Sequence, residues 1–152
     1  MKNVNKVIIL GNMARDPEIR TTQSGQKIVT FVVATNRQWN SKQAGEKKSL
    51  AEFHNVVAWG KLAEICADFL YKGRPVYVEG YLKTRSWETE SGAKAYRTEI
   101  VSQNVVMLGE SKKGNIEEEE KAFSEVSSDD ESFDFDEEDV NELDSEPDKA
   151  EA

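Results

Sequence analysis

Cysteine, histidine and proline are nearly absent from this 152-residue chain, which has one Cys, one His and three Pro. A lone thiol, Cys66, rules out an internal disulfide and suits a reducing compartment. Cys66 and His54 are the only soft metal ligands and no ligand spacing joins them, so no metal or other cofactor is expected. Long apolar runs are missing too. The N-terminal stretch Val7-Ile8-Ile9-Leu10 is too short for a signal peptide or a transmembrane span, which leads us to expect a soluble cytoplasmic protein with no membrane partner. Walker-type loops and nucleophile–base motifs are absent, and residues 1–114 hold no dense acidic cluster. A carboxylate-dependent nuclease or other enzyme is therefore not expected, and no catalytic residue is assigned.

Charge is present but sharply divided. The chain totals −9, yet residues 1–114 carry a net +7 and residues 115–152 a net −16. A basic body suggests a polyanionic partner. The tail holds the acidic runs Glu117–Glu120, Ser127–Glu131 and Asp134–Asp139, a composition that cannot bury enough apolar surface to fold alone. We therefore expect a folded domain over 1–110 and a disordered acidic tail over 111–152. Phe133 and Phe135, flanked by acidic residues, are the tail's candidates for docking a protein partner.

The body reads as short strands. Val7–Leu10 is a strand apolar on both faces, ending at Gly11-Asn12, with the core on one side and either a second subunit or a loop on the other. Ile19–Thr22, the turn Ser24-Gly25 and Gln26–Ala34 form a hairpin. Thr35–Ala51 dissolves into a polar, basic loop carrying Trp39. In Phe53–Trp59, period two puts Phe53, Asn55, Val57 and Trp59 on one face and His54, Val56 and Ala58 on the other. Val56 and Ala58 are core-sized, and an Asn shares the aromatic face, so Phe53 and Trp59 are expected on the outside, about 20 Å apart at strand rise. Leu62, Ile65, Cys66 and Phe69 then make one helical stripe that ends at Lys72-Gly73.

Val76, Val78, Gly80 and Leu82 form the inward face of the next strand. Its other face reads Tyr77, Glu79, Tyr81, Lys83, Arg85, Trp87, with the interleaved cations and rings that suit phosphates and bases. A hairpin loop over Thr89–Lys94 and a last strand, Tyr96–Leu108, complete the body. An all-β chain with one helix between strands three and four closes most naturally as a five-stranded oligonucleotide/oligosaccharide-binding barrel.

The segments Asn5–Asn12, Asp16-Pro17-Glu18, Phe53-His54, Gly60–Glu64, Tyr77–Gly80 and Thr84–Trp87 resemble the bacterial single-stranded DNA-binding protein family over residues 1–109. The resemblance implies homotetramers with single-stranded DNA wrapped around them, stacking at Trp39, Phe53, Trp59 and Trp87, and a nucleoid-associated location. Arg37, Lys61, Lys72, Lys83 and Arg85 are the candidate phosphate contacts. Asn55 and Ser86 stand where family members frequently carry a base. The resemblance also implies replication and repair proteins recruited through the tail. Family tails typically close on Pro-Phe, whereas this sequence closes on Lys149-Ala150-Glu151-Ala152, which moves the docking expectation to Phe133 and Phe135. An RNA-binding barrel is the alternative, because stacking tolerates ribose.

Overall fold

The computed structural model describes residues 1–40, 45, 47–111 and 116–126. Seven elements make up the body: β1 (Val7–Met13), β2 (Glu18–Thr21), β3 (Lys27–Asn40), β4 (Lys47–Trp59), α1 (Gly60–Phe69), β5 (Pro75–Glu88) and β6 (Lys94–Met107). Hydrogen bonding runs β1-β5-β6-β4-β3-β2, and β1 also pairs with β3 through Asn12↔Ala34 and Met13↔Val33. That last pairing closes a barrel of five strands, leaving β2 as a short flap on the edge of β3. The helix lies between the third and fourth barrel strands.

Two glycines sit at the seams of this closure. A Cβ on Gly11 would collide with the Ala34 carbonyl oxygen where β1 meets β3, and one on Gly80 with the Val101 carbonyl oxygen at the β5–β6 bulge. Backbone atoms cannot move aside as a flexible side chain can, so only glycine lets these strands approach. At Gly60 the requirement is conformational. Its φ of +59° swings the chain from β4 into α1.

The core is the inward parity of each strand capped by one helix face. Val29, Phe31 and Val33 on β3, Val56 and Ala58 on β4, and Val76 and Val78 on β5 meet Leu62, Ala63 and Cys66 of α1. Burial pushes the Cys66 thiol up to about 12, which leaves it a packing group.

Several local expectations change. The stretch Thr35–Ala51 is mostly a β-ribbon, because β3 and β4 pair continuously out to Asn40↔Lys47. An arm projecting beyond the barrel is wet on both sides, so it shows no apolar alternation to read. β1 runs past Gly11-Asn12 to Met13, since those residues are needed for the closing pairs. The helix stops at Phe69 with Leu70 already extended, so Lys72 and Gly73 belong to the following turn and do not cap it. Leu82 keeps inward parity but is 49% exposed, because the barrel has ended beneath it. Inside the stretch expected to be disordered, Ile116–Val126 forms a further helix, α2. Its run of Glu with Lys121 and Ala122 consists of good helix formers. Phe133 and Phe135 lie outside the described residues.

Candidate nucleic-acid interface

The outer face of β4 continues across the sheet without a change of parity. Phe53, Asn55, Val57 and Trp59 oppose Ala34, Val32, Thr30 and Ile28 on β3. On the other side Val57 registers with Val101 of β6, and Val101 with Tyr81 of β5. Beyond Tyr81 the same parity carries Lys83 opposite Glu99, Arg85 opposite Arg97 and Trp87 opposite Ala95. Four aromatics and three cations therefore share one surface built from four strands.

The floor of this surface is apolar and dry. Ile28, Val32, Val57 and Val101 are buried although their parity is opposite to that of the core. Ser102 Oγ ties the floor together by donating to the Val57 carbonyl at 2.9 Å. Phe53 stands out from it at 63% exposed, whereas Trp59 and Trp87 are half-buried. A half-buried ring is already oriented, which lowers the entropic cost of receiving a base.

The register separates Trp39 from this group. Trp39 opposes Lys48 on the other side of the β3–β4 arm, on the parity of Arg37, Thr35 and Val33. It is 43% exposed, and both Arg37 and Lys48 are exposed beside it. The arm thus offers a second aromatic–basic surface, back to back with the first.

The candidate cations divide in the same way. Arg85 Nη2 is 2.7 Å from Glu99 Oε1, with only 11% and 7% of the two side chains exposed, so much of its charge is met within the protein. Lys83 is half-buried across from Glu99. Lys61 is exposed at the start of α1, and its Nζ lies 3.8 Å from Glu125 Oε2 of α2. Lys72 sits in the turn after α1, its backbone N–H donating to Asp16 Oδ1 at 2.8 Å, away from the aromatic strands. The structure does not bring Lys72 together with the others.

Arg97 was missed by the sequence reading. Its Nε lies 3.4 Å from Glu99 Oε1, and its Nη2 donates to Asn55 Oδ1 at 3.4 Å, on the aromatic face of β4. The signal was available in the hairpin: a turn at Ser91-Gly92 sets Arg85 opposite Arg97. Seeing it required strand register as well as residue type.

At the opposite end of β5 the outer face is occupied internally. Tyr77 Oη donates to Glu79 Oε1 at 2.8 Å, and Lys6 Nζ approaches Glu79 Oε2 at 3.6 Å. The tyrosine hydrogen bond, with help from Lys6, holds the Glu79 carboxyl below the usual range, and the same bond raises the Tyr77 phenol. Only the Lys83–Trp87 half of the alternating face is part of the candidate site.

A closed five-stranded barrel with aromatic and cationic side chains over its outer strands defines an oligonucleotide-binding barrel of the single-strand-binding kind. The chain belongs to the Single-strand binding protein family, whose sequence model matches residues 4–108. It is 47% identical over 109 residues to a Chlorobaculum tepidum protein called single-stranded DNA-binding protein 1, covering 71% of this chain and 67% of that one. Its fold is similar to that in the Plasmodium falciparum SSB complex with ssDNA, with a TM-score of 0.65 at 32% identity, covering 72% of this chain and 98% of the other.

Proposed function

We propose that this protein binds single-stranded DNA irrespective of sequence, and so protects and organises it during replication, recombination and repair. The single observation that carries this reading is the continuous outer face on which Phe53, Trp59 and Trp87 stand with Lys83, Arg85 and Arg97 over a dry apolar floor. Every base has a π-face, so stacking is indifferent to sequence, and cations neutralise the phosphates between stacked bases. The protein acts by binding and not by catalysis, in keeping with its family. Oligo-dT should quench its tryptophan fluorescence, and the apparent affinity should fall with salt at a log–log slope near −0.7 per neutralised phosphate. Matched oligo-U should compete poorly. If oligo-U competed as well as oligo-dT, the RNA-binding alternative would replace this reading.

The assembly we propose is a homotetramer. Ile8 and Leu10 project from the outer side of β1 at 58% and 62% exposed, so no loop among the described residues covers them. They register with Glu79 and Tyr77, and Tyr77 with Val106, itself 40% exposed, which makes an apolar strip across three strands. A strip of this kind on a sheet supports a self-complementary contact with a second copy. Light scattering should give about four times the 17.1 kDa chain mass, and Ile8→Glu with Leu10→Glu should reduce it to that of smaller species. A monomeric wild type would remove the proposal.

The acidic tail, in this reading, is a tethered competitor for the same cations. The Lys61–Glu125 contact, 3.8 Å long, supports it, because a tail carboxylate already meets a candidate phosphate contact. Deleting 115–152 should raise oligo-dT affinity, most strongly at low salt, where screening is weakest. Equal affinities for the two forms at low salt would count against it. Phe133 and Phe135 are the proposed docking residues for replication and repair proteins, and the chain's place would then be the nucleoid.

A further inference from the structure

We propose that Arg97 is a phosphate-contacting residue of this face, a cation delivered to β4 from β6 and held there by Glu99 and Asn55. The inference rests on the single-stranded DNA reading above. Between Lys48 and Lys61 the β4 sequence has no Lys or Arg, although Phe53 and Trp59 both stand on its outer face. A backbone passing from one ring to the other would cross Asn55 with no charge on that strand to meet it. Arg97 fills this gap, since its Nη2 reaches Asn55 Oδ1 at 3.4 Å.

The two arginines of the cross-strand pair differ in what they have left to give. Arg85 is 11% exposed and sits 2.7 Å from Glu99, a short contact in a nearly closed site. Arg97 is 38% exposed, and its contact with the same carboxylate oxygen is longer, at 3.4 Å. A guanidinium has five N–H donors, and those contacts engage Nε and Nη2, leaving Nη1 for a phosphate oxygen. Glu99 and Asn55 are positioning residues in this scheme. They orient the guanidinium fork before DNA arrives, which lowers the ordering cost of binding.

The test uses the full chain and labelled oligo-dT, followed by fluorescence anisotropy over a salt series. Arg97→Ala should weaken binding about tenfold at low salt, in line with the loss of one charge-assisted contact. It should also make the log–log salt slope shallower by about 0.7, the share of one phosphate on a single strand. Arg97→Lys, which keeps the charge and disturbs the fold least, should retain the wild-type slope. A merely structural role would change affinity without changing the slope. The proposal is overturned if wild type binds with its salt dependence and Arg97→Ala keeps the same slope, or if Arg97→Lys loses slope as Arg97→Ala does. A wild type that fails to bind oligo-dT defeats the parent reading instead, so the two failures are distinguishable.

Discussion

Replacing Phe53 and Trp87 together with alanine should lower affinity for oligo-dT by roughly a thousandfold, taking about 2 kcal/mol for each stacked base and 1.4 kcal/mol for each factor of ten. The two rings lie on one parity, Phe53 on β4 and Trp87 on β5, joined through the Val57–Val101–Tyr81 register, so a single strand of DNA can meet both. The fold should tolerate the change. Phe53 is 63% exposed and contributes little to the core, and Trp87 stands near the tip of the β5–β6 hairpin. Anisotropy of a labelled oligonucleotide is the appropriate measurement, because Trp39 and Trp59 remain in the variant and would confuse a fluorescence-quenching signal. Trp39→Ala, on the other side of the β3–β4 arm, should add its own loss independently, as separate sites do. A loss below about fivefold for the double variant, with an unchanged circular dichroism spectrum, would show that stacking on this face does not carry binding.

What could be read from the residues follows from where the barrel imposes a pattern. Along Phe53–Trp59, period two holds because one side of β4 faces the core, and the outward aromatics were visible by contrast with Val56 and Ala58. The α1 stripe and the inward Val76, Val78 and Gly80 were legible for the same reason. Past the end of the barrel the pattern stops, since neither side of an arm is apolar. Thr35–Ala51 therefore looked like a loop although its backbone pairs to Asn40↔Lys47, and Leu82 looked buried although it is not.

The site was legible as a set of residue types and illegible as an arrangement. Reading Lys83, Arg85 and Trp87 as one unit was sound in parity, but the pairing of Arg85 with Glu99 comes from a residue fourteen positions away. The separation of Trp39 from Phe53 depends on a thirteen-pair register with no slip, which no local window contains. Charge, too, is redistributed by the fold. Glu99 offsets part of the charge of Arg85 and Arg97, and α2 brings Glu125 to Lys61, so the positive field around these residues is smaller than a count of Lys and Arg suggests.

Arg74→Ala should be the most destabilising single change outside the glycine seams. Arg74 is 2% exposed, an uncommon place for a guanidinium, and the carbonyl oxygens around it explain why it is tolerated there. Its Nη1 donates to Phe69 O at 2.8 Å, its Nε to Leu108 O at 3.2 Å, and its Cζ lies 5.6 Å from the Tyr71 ring centroid. These contacts join the C-terminus of α1 to the end of β6, two points separated by 39 residues that the barrel must hold together. Phe69 O is among the last carbonyls of α1, where the helix has run out of its own donors and a cation meets the negative end of the dipole. Alanine removes the donors, leaves a void and strands buried acceptors. At about 1.5–3 kcal/mol for each bond to a charged donor, partly recovered by water, the net cost is about 3 kcal/mol. For a body of this size that corresponds to a fall in Tm of roughly 10–20 °C by differential scanning calorimetry. Arg74→Lys should recover little, because a single ammonium point cannot reach both carbonyls in the geometry of the planar fork. Oligo-dT binding measured well below the new Tm should be unchanged, since Arg74 lies in the closure and not on the aromatic face. A shift of under 3 °C for Arg74→Ala would mean that the barrel closes without this clasp.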